Sequence, residues 1–261
     1  MLTLADDLGH LSYTVTGDGS PVVLLHAGVA DHHMWDAVAP ALAERHTVIC
    51  YDLRGFGASA PPTGPFSEVE DLRRLLDHLG HERVQLVGAS WGGRVAVDFT
   101  LTHPDHVRSL TVLAPPWPGY DWSAEMITYD EAETEALAAG DLDTAVGVNL
   151  DMWLRGPNRD WDDVAPELAD RLRGPVRTSL VNQDALAEHS RGGSDGDIAA
   201  ITVPTLVGIG RLDVADFQDI ARRYAARIPA ATVVEFPDAA HLIAVDAPTE
   251  LLAALRAFLL N

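Results

Sequence analysis

Apolar positions follow two alternating rhythms along this chain. The run PVVLLH at 21–26 is apolar without a break, the pattern of a strand covered on both faces. Comparable runs fall at 46–52 (HTVICYD), 83–88, 107–114, 201–213 (ITVPTLVGIGRLD) and 232–237, and residues 11–16 read as a further strand. Between them the spacing turns helical. Over 66–79, Val69, Leu72, Leu75, Leu76 and Leu79 share one stripe and Gly80 ends it. Residues 34–44, with Asp31 as N-cap, and 91–102, 216–228 and 248–260 also read as helices. Strands alternating with helices imply right-handed crossovers and a mostly parallel sheet flanked by helices, an α/β fold. The first strands precede any helix, so that edge is expected to be antiparallel.

One stretch breaks the alternation. After Pro115, Pro116 and Pro118, residues 117–197 keep helical periodicity, show no strand pattern and hold Trp117, Trp122, Trp153 and Trp161. The expected organisation is a core in two parts, 1–116 and 198–261, with a helical cap over 117–197 lying across the sheet. No internal repeat or low-complexity segment is visible.

Composition narrows the classes of function. Of 261 residues, 47% are hydrophobic, which suits one large α/β domain with an insertion. There are 39 acidic residues against 18 basic ones, all arginine, for a net charge of −21. Such a balance disfavours nucleic acid and anionic membranes as partners, and leaves a small-molecule substrate. Cys50 is the only cysteine, which excludes an intrachain disulfide and a cysteine-based metal site. Its apolar strand makes it a buried structural thiol. The N-terminal MLTLADDLGH lacks a basic stretch followed by an apolar one, and no apolar run reaches membrane-spanning length. The expectation is a cytoplasmic protein, monomer or homodimer, with no metal and no cofactor.

The chemistry centres on VGASWGG. Gly88 to Gly92 fit G-x-S-x-G between a predicted strand and a predicted helix, the context in which the motif marks a nucleophile elbow. A serine hydroxyl is a weak nucleophile. It needs a base, a group to orient that base, and donors for the oxyanion. In such elbow enzymes the acid and then the histidine follow the serine, at the ends of later strands. Asp213 ends TLVGIGRLD and His241 follows VVEFPDAAH, so Ser90, Asp213 and His241 form the candidate catalytic set. Asp216, at the start of the next helix, reads as a cap, and Asp238 as a turn residue. His78, His81, His103 and His106 read as surface residues. One oxyanion N–H is expected from Trp91 and the other from the loop HAGVAD, with Gly28 the choice and Val29 the alternative. His26 is expected to shape that loop.

The ordered set HAGVADHHMW, YDLRGFGAS, VGASWGG, GRLDVADF and DAAHLIAVDAP resembles the α/β-hydrolase superfamily. Within it the chain is similar to small bacterial hydrolases grouped with 3-oxoadipate enol-lactonases. The resemblance implies the α/β-hydrolase fold, with Ser90 as nucleophile, His241 as base, Asp213 as acid, and Gly28 and Trp91 as oxyanion donors. Asp52, Arg54, Gly55, Gly57 and Ser59 match a loop motif that holds the surroundings of the site. One departure is Ala27, which stands where the family commonly has glycine after histidine.

The implied reaction is hydrolysis of a carboxylic ester or lactone through an acyl-enzyme. C–C bond hydrolases, thioesterases, perhydrolases and acyltransferases of this fold keep the same three residues, and so do some small-molecule sensors. Dehalogenases and epoxide hydrolases want aspartate at the elbow, and a hydroxynitrile lyase wants a lysine, which this chain lacks. Candidate substrate contacts are Val29, His33, Trp117, Trp122, Met126, Trp153 and Leu242. The competing expectation is that most cap aromatics simply fix the cap to the core. Arg155 and Arg159 are the cap arginines singled out, and both have acidic neighbours, which speaks against a strongly anionic substrate.

Overall fold

The computed structural model describes every residue except Asp195, Leu260 and Asn261. Strands β1 (Leu2–Asp6), β2 (Gly9–Thr16), β3 (Ser20–Leu25), β4 (His46–Tyr51), β5 (Val84–Ala89), β6 (Val107–Leu113), β7 (Thr205–Gly210) and β8 (Ala231–Phe236) form one sheet in the order β1-β2-β4-β3-β5-β6-β7-β8. Pairing is antiparallel from β1 to β2 and from β2 to β4, and parallel across the rest. Strand β3 shows why its sequence is apolar throughout. Val22 and Leu24 enter one core cluster with Trp35, Leu42 and Leu251, while Val23 and Leu25 enter another with Leu72, Phe99 and Tyr224. Successive side chains point to opposite faces and both faces are covered.

Helices α1 (Ala39–Leu42), α8 (Ile243–Asp246) and α9 (Pro248–Phe258) supply the first cluster; α2 (Glu68–Leu79), α3 (Trp91–Thr102) and α7 (Ala215–Arg227) supply the second. Between β6 and β7 the chain leaves the sheet as α4 (Ala124–Ala138), α5 (Leu142–Asn149), a π-helical turn at Leu150–Arg155, a 3₁₀ turn at Trp161–Asp163 and α6 (Pro166–His189). Among the described residues no helix is long and apolar enough to cross a membrane.

Two expected elements need correction, and one strand was missed. Strand β1 was not legible, because only alternate residues of this edge hairpin are even partly covered. The helix expected over 34–44 is a 3₁₀ turn at His32–Trp35 followed by the short α1. Pro40 is the cause. It lacks a backbone N–H and its ring fits only a first helical turn, so the helix restarts there. The run at 201–213 shortens to β7, since Pro204 cannot donate to a ladder inside the sheet. The last predicted helical position, Leu260, lies outside the described residues.

The cap is tied to the core beside the candidate site. Ser123 donates from its N–H (2.8 Å) and hydroxyl (2.7 Å) to the Asp216 carboxylate. The expected cap role of Asp216 is thus replaced by a tether. Asn158 Nδ2 donates to the Asp213 carbonyl at 3.1 Å. The Arg159 guanidinium pairs with Asp246 at 2.8 Å, and Asp246 also accepts from the N–H of Ala240 at 2.9 Å. At its exit the cap returns along α2, where Phe66 and the His189–Arg191 segment exchange backbone hydrogen bonds of 3.0 and 2.9 Å.

Candidate active site

Ser90 sits between the end of β5 and the start of α3, with φ 49° and ψ −118°. A left-handed φ on a serine costs roughly 1–3 kcal/mol and persists only where the surroundings leave no alternative. Here the surroundings are backbone. A Cβ on Gly88 would lie 2.3 Å from the Gly92 carbonyl oxygen, and one on Gly92 would lie 2.4 Å from that of His26. Glycine at both positions lets strand, turn and helix close on each other. The result aims the Ser90 hydroxyl away from the sheet, at the N-terminus of α3, where partial positive charge favours an anion.

His241 follows β8 and Asp213 follows β7. His241 Nε2 lies 2.9 Å from Ser90 Oγ, and His241 Nδ1 lies 3.0 Å from Asp213 Oδ2. The second carboxylate oxygen of Asp213 accepts from the Val214 N–H at 2.8 Å. A carboxylate only accepts, so Nδ1 carries the proton and Nε2 is free to receive that of Ser90. The side chains of His241 and Asp213 are 2% and 3% exposed, which shields this relay from water. The imidazole is walled in by Trp153 and Phe217, with ring centroids 4.6 and 4.5 Å away.

The loop after β3 is held by buried polar groups. Leu53 N–H donates to His26 Nε2 at 2.9 Å, which leaves His26 Nδ1 to donate to the Ala27 carbonyl at 2.8 Å. Burial holds the His26 imidazole below its usual value despite that bond. Asp52 accepts from the N–H and Nδ1 of His32, both at 2.8 Å, and from the Ala58 N–H at 2.9 Å. The bond to Asp52 raises the His32 pKa. Burial pushes the Asp52 carboxyl up, but the hydrogen bonds from His32 and Ala58 outweigh it and hold it below the usual range. Arg54 forks onto Asp71 at 2.7 and 2.9 Å and reaches Asp6 at 2.6 Å. These polar groups tie the loop after β3 to the loop after β4, and that loop in turn to α2 and β1.

Ser90 and His241 open onto a cavity of about 490 Å³. The structure brings Gly28, Val29 and Trp91 to its wall, along with the cap residues Trp122, Met126, Tyr129 and Trp153. It does not bring the other expected contacts there. Trp117 packs its ring 5.0 Å from that of Tyr224 in α7, and Arg227 lies 5.6 Å from its centroid. The His33 side chain is 59% exposed and pairs with Asp36. Leu242 is 1% exposed, and the turn after His241 drives it into the core. Phe56, Glu68, Leu186 and Phe217 line the cavity without having been singled out. Phe217 and Phe56 stood beside motifs that were read. Glu68 lies in the first turn of α2, where an acid is ordinary. Among the described residues no group of three or more His, Cys, Asp or Glu side chains converges as a metal-binding set.

Comparisons with known proteins agree with this architecture. A fluoroacetate dehalogenase from a Burkholderia species is 42% identical over 111 residues, which cover 40% of this chain and 36% of that protein. A solved thermophilic esterase from Thermogutta terrifontis superposes with a TM-score of 0.76 at 26% identity, covering 98% of this chain and 96% of that one. The enol-lactonase from Burkholderia xenovorans shares the fold, with a TM-score of 0.80 at 21% identity over 98% of this chain and 99% of that one. The family model for the alpha/beta hydrolase fold matches residues 20–248, and on that match the chain belongs to the α/β hydrolase fold family.

Proposed function

We propose that this hydrolase cleaves carboxylic esters or lactones through an acyl-enzyme on Ser90. One observation carries the reading: the Ser90–His241–Asp213 line, with contacts of 2.9 and 3.0 Å, opens on a mostly apolar cavity. In the proposed mechanism His241 Nε2 takes the Ser90 proton as Oγ attacks the carbonyl carbon. Asp213 holds the tautomer and stabilises the imidazolium that forms. The oxyanion rests on the Trp91 N–H and on that of Gly28 or Val29. The alcohol leaves with the proton from His241, and water activated by the same imidazole releases the acid. Loss of one such oxyanion donor costs about 10²–10³ in rate.

The kinship with a dehalogenase does not carry its reaction across. Displacement of a halide by a carboxylate gives an ester, which water can hydrolyse. Displacement by a serine hydroxyl would give an ether, which this machinery could not open. An acyl carbon is the electrophile suited to Ser90. The test compares wild type with Ser90→Ala on short p-nitrophenyl esters, small lactones and a thioester under multiple turnover. Rapid turnover abolished by the substitution is expected. Activity surviving in Ser90→Ala would remove the nucleophile, and a single slow acylation on every substrate would turn the reading towards a sensor.

A further inference from the structure

The cavity wall holds one ionisable group that the proposed mechanism does not use. Glu68, in the first turn of α2, is 9% exposed and lines the cavity together with Ser90 and Trp91. The same two residues, Glu68 and Trp91, also line a neighbouring cavity of about 290 Å³. Glu68 therefore stands between the two spaces. The cap's return along α2 puts it there, because Phe66 pairs with the segment that supplies Leu186, Ala187 and Ser190 to the same wall.

The other polar groups on the wall are occupied. Ser190 Oγ accepts from the Gly192 N–H at 3.2 Å. Tyr129 accepts from Trp153 Nε1 at 2.8 Å, and its hydroxyl has Glu133 and Asn149 as acceptors, each at 2.9 Å. The cavity-lining residues include no arginine to neutralise a carboxylate. Glu68 has helpers of its own. Burial pushes its carboxyl above the usual carboxylate range, and its own N–H and the Trp91 side chain oppose that only in part. The nearest acids, Asp71 and Asp98, are paired with Arg54 and Arg94.

Resting on the ester or lactone reading of the site, we propose that Glu68 selects substrates by the end remote from the scissile carbonyl: it accepts a hydrogen bond from a hydroxyl, amide N–H or ammonium group and rejects a carboxylate. A carboxylate-ended chain would bring its charge against a buried acid, and the described residues lining that cavity include no arginine to offset it. An apolar end would leave the Glu68 oxygens without a donor that a hydroxyl supplies. The class of substrate is therefore an ester or lactone with a neutral or cationic donor at its far end, not the monoester or lactone of a dicarboxylic acid.

The test uses two graded series of esters, one varying the acyl chain and one the alcohol chain. Each chain ends in methyl, hydroxyl or carboxylate. Wild type, Glu68→Gln and Glu68→Asp are compared by kcat/KM. In parallel, Ser90→Ala is titrated with unreactive alcohols bearing the same three ends, read by tryptophan fluorescence. In one of the two series, wild type is expected to disfavour the carboxylate end against the methyl end by about tenfold or more. Glu68→Gln is expected to raise the carboxylate-to-methyl ratio by about tenfold, while Glu68→Asp keeps the rejection and loses the hydroxyl preference. A ratio unmoved in both series by Glu68→Gln would overturn the proposal. The binding series decides separately if no ester turns over: a ranking that shifts between Ser90→Ala and Ser90→Ala/Glu68→Gln upholds Glu68 and overturns the acyl chemistry. A ranking identical in the two overturns Glu68, and Glu68→Asp, which keeps a carboxylate, controls for folding.

Discussion

The elbow and the cap meet across the same cavity, yet they are made in different ways. At the elbow Ser90 is placed by backbone sterics, and His241 and Asp213 are fixed to it by short hydrogen bonds. Ser90 holds a left-handed φ because Gly88 and Gly92 admit no Cβ, and His241 and Asp213 stand at the ends of adjoining strands. In the cap, Trp122, Met126, Tyr129 and Trp153 reach the cavity because of how helices settle on the core, held by contacts such as Arg159–Asp246 and Ser123–Asp216. The first arrangement tolerates almost no change in geometry. The second tolerates a change of shape and should convert it into a change of substrate.

Substitutions at the two regions should separate accordingly. Ser90→Ala should lower kcat roughly 10⁶-fold, measured on whichever ester turns over best. A loss of less than a hundredfold would mean that the elbow is not the reacting centre. Asp213→Asn should cost about 10⁴-fold with the fold intact, because an amide favours the wrong His241 tautomer. Trp153→Ala, across the same imidazole, should cost no more than about 10²-fold and should move the preferred chain length. An effect as large as that of Asp213→Asn would erase the distinction between machinery and wall.

The smaller effects concern stability. Arg159→Met strands Asp246 in a buried site beside the His241 loop and should cost about 3–5 kcal/mol in chemical denaturation. Adding Asp246→Asn should recover part of that loss. A cost under about 1 kcal/mol would mean that the cap is held by apolar packing alone. The least effect is expected from His32. Its pKa is raised above 6.5 by Asp52, so the bond contributes fully below pH 6.5 and fades as pH rises through the raised value. Thermal unfolding of wild type should weaken over that range relative to His32→Gln, and parallel pH profiles would show that the loop does not depend on this charge.

Much of the elbow region was legible because its residue types answer to one local necessity. A serine between glycines after an apolar run, an acid ending a strand and a histidine after the last strand each have a short list of uses. His32 stood only within a quoted motif and Asp52 within a loop motif, and their buried pairing came only with the structure. The cap shows the opposite case. Trp117 and Trp122 lie close together in sequence, but one ring packs on Tyr224 and the other on Phe217 at the cavity. Nothing in their spacing tells these fates apart, since both satisfy the same demand for apolar burial. Pro40 was a legible signal that the periodicity of 34–44 obscured.

By itself the sequence determined the alternation of strands and helices, the parallel sheet, the helical stretch between β6 and β7 and the residues able to perform nucleophilic chemistry. Periodicity, turn geometry and side-chain acidity are local properties, and each is written within a few residues. Tertiary structure alone decided which side chains wall the cavity, that Asp216 and Asp246 tether the cap, and that Glu68 lines two neighbouring cavities. Those outcomes depend on where separate segments of the chain are brought together. Burial of an apolar or charged side chain is a property of that meeting and not of the residue itself.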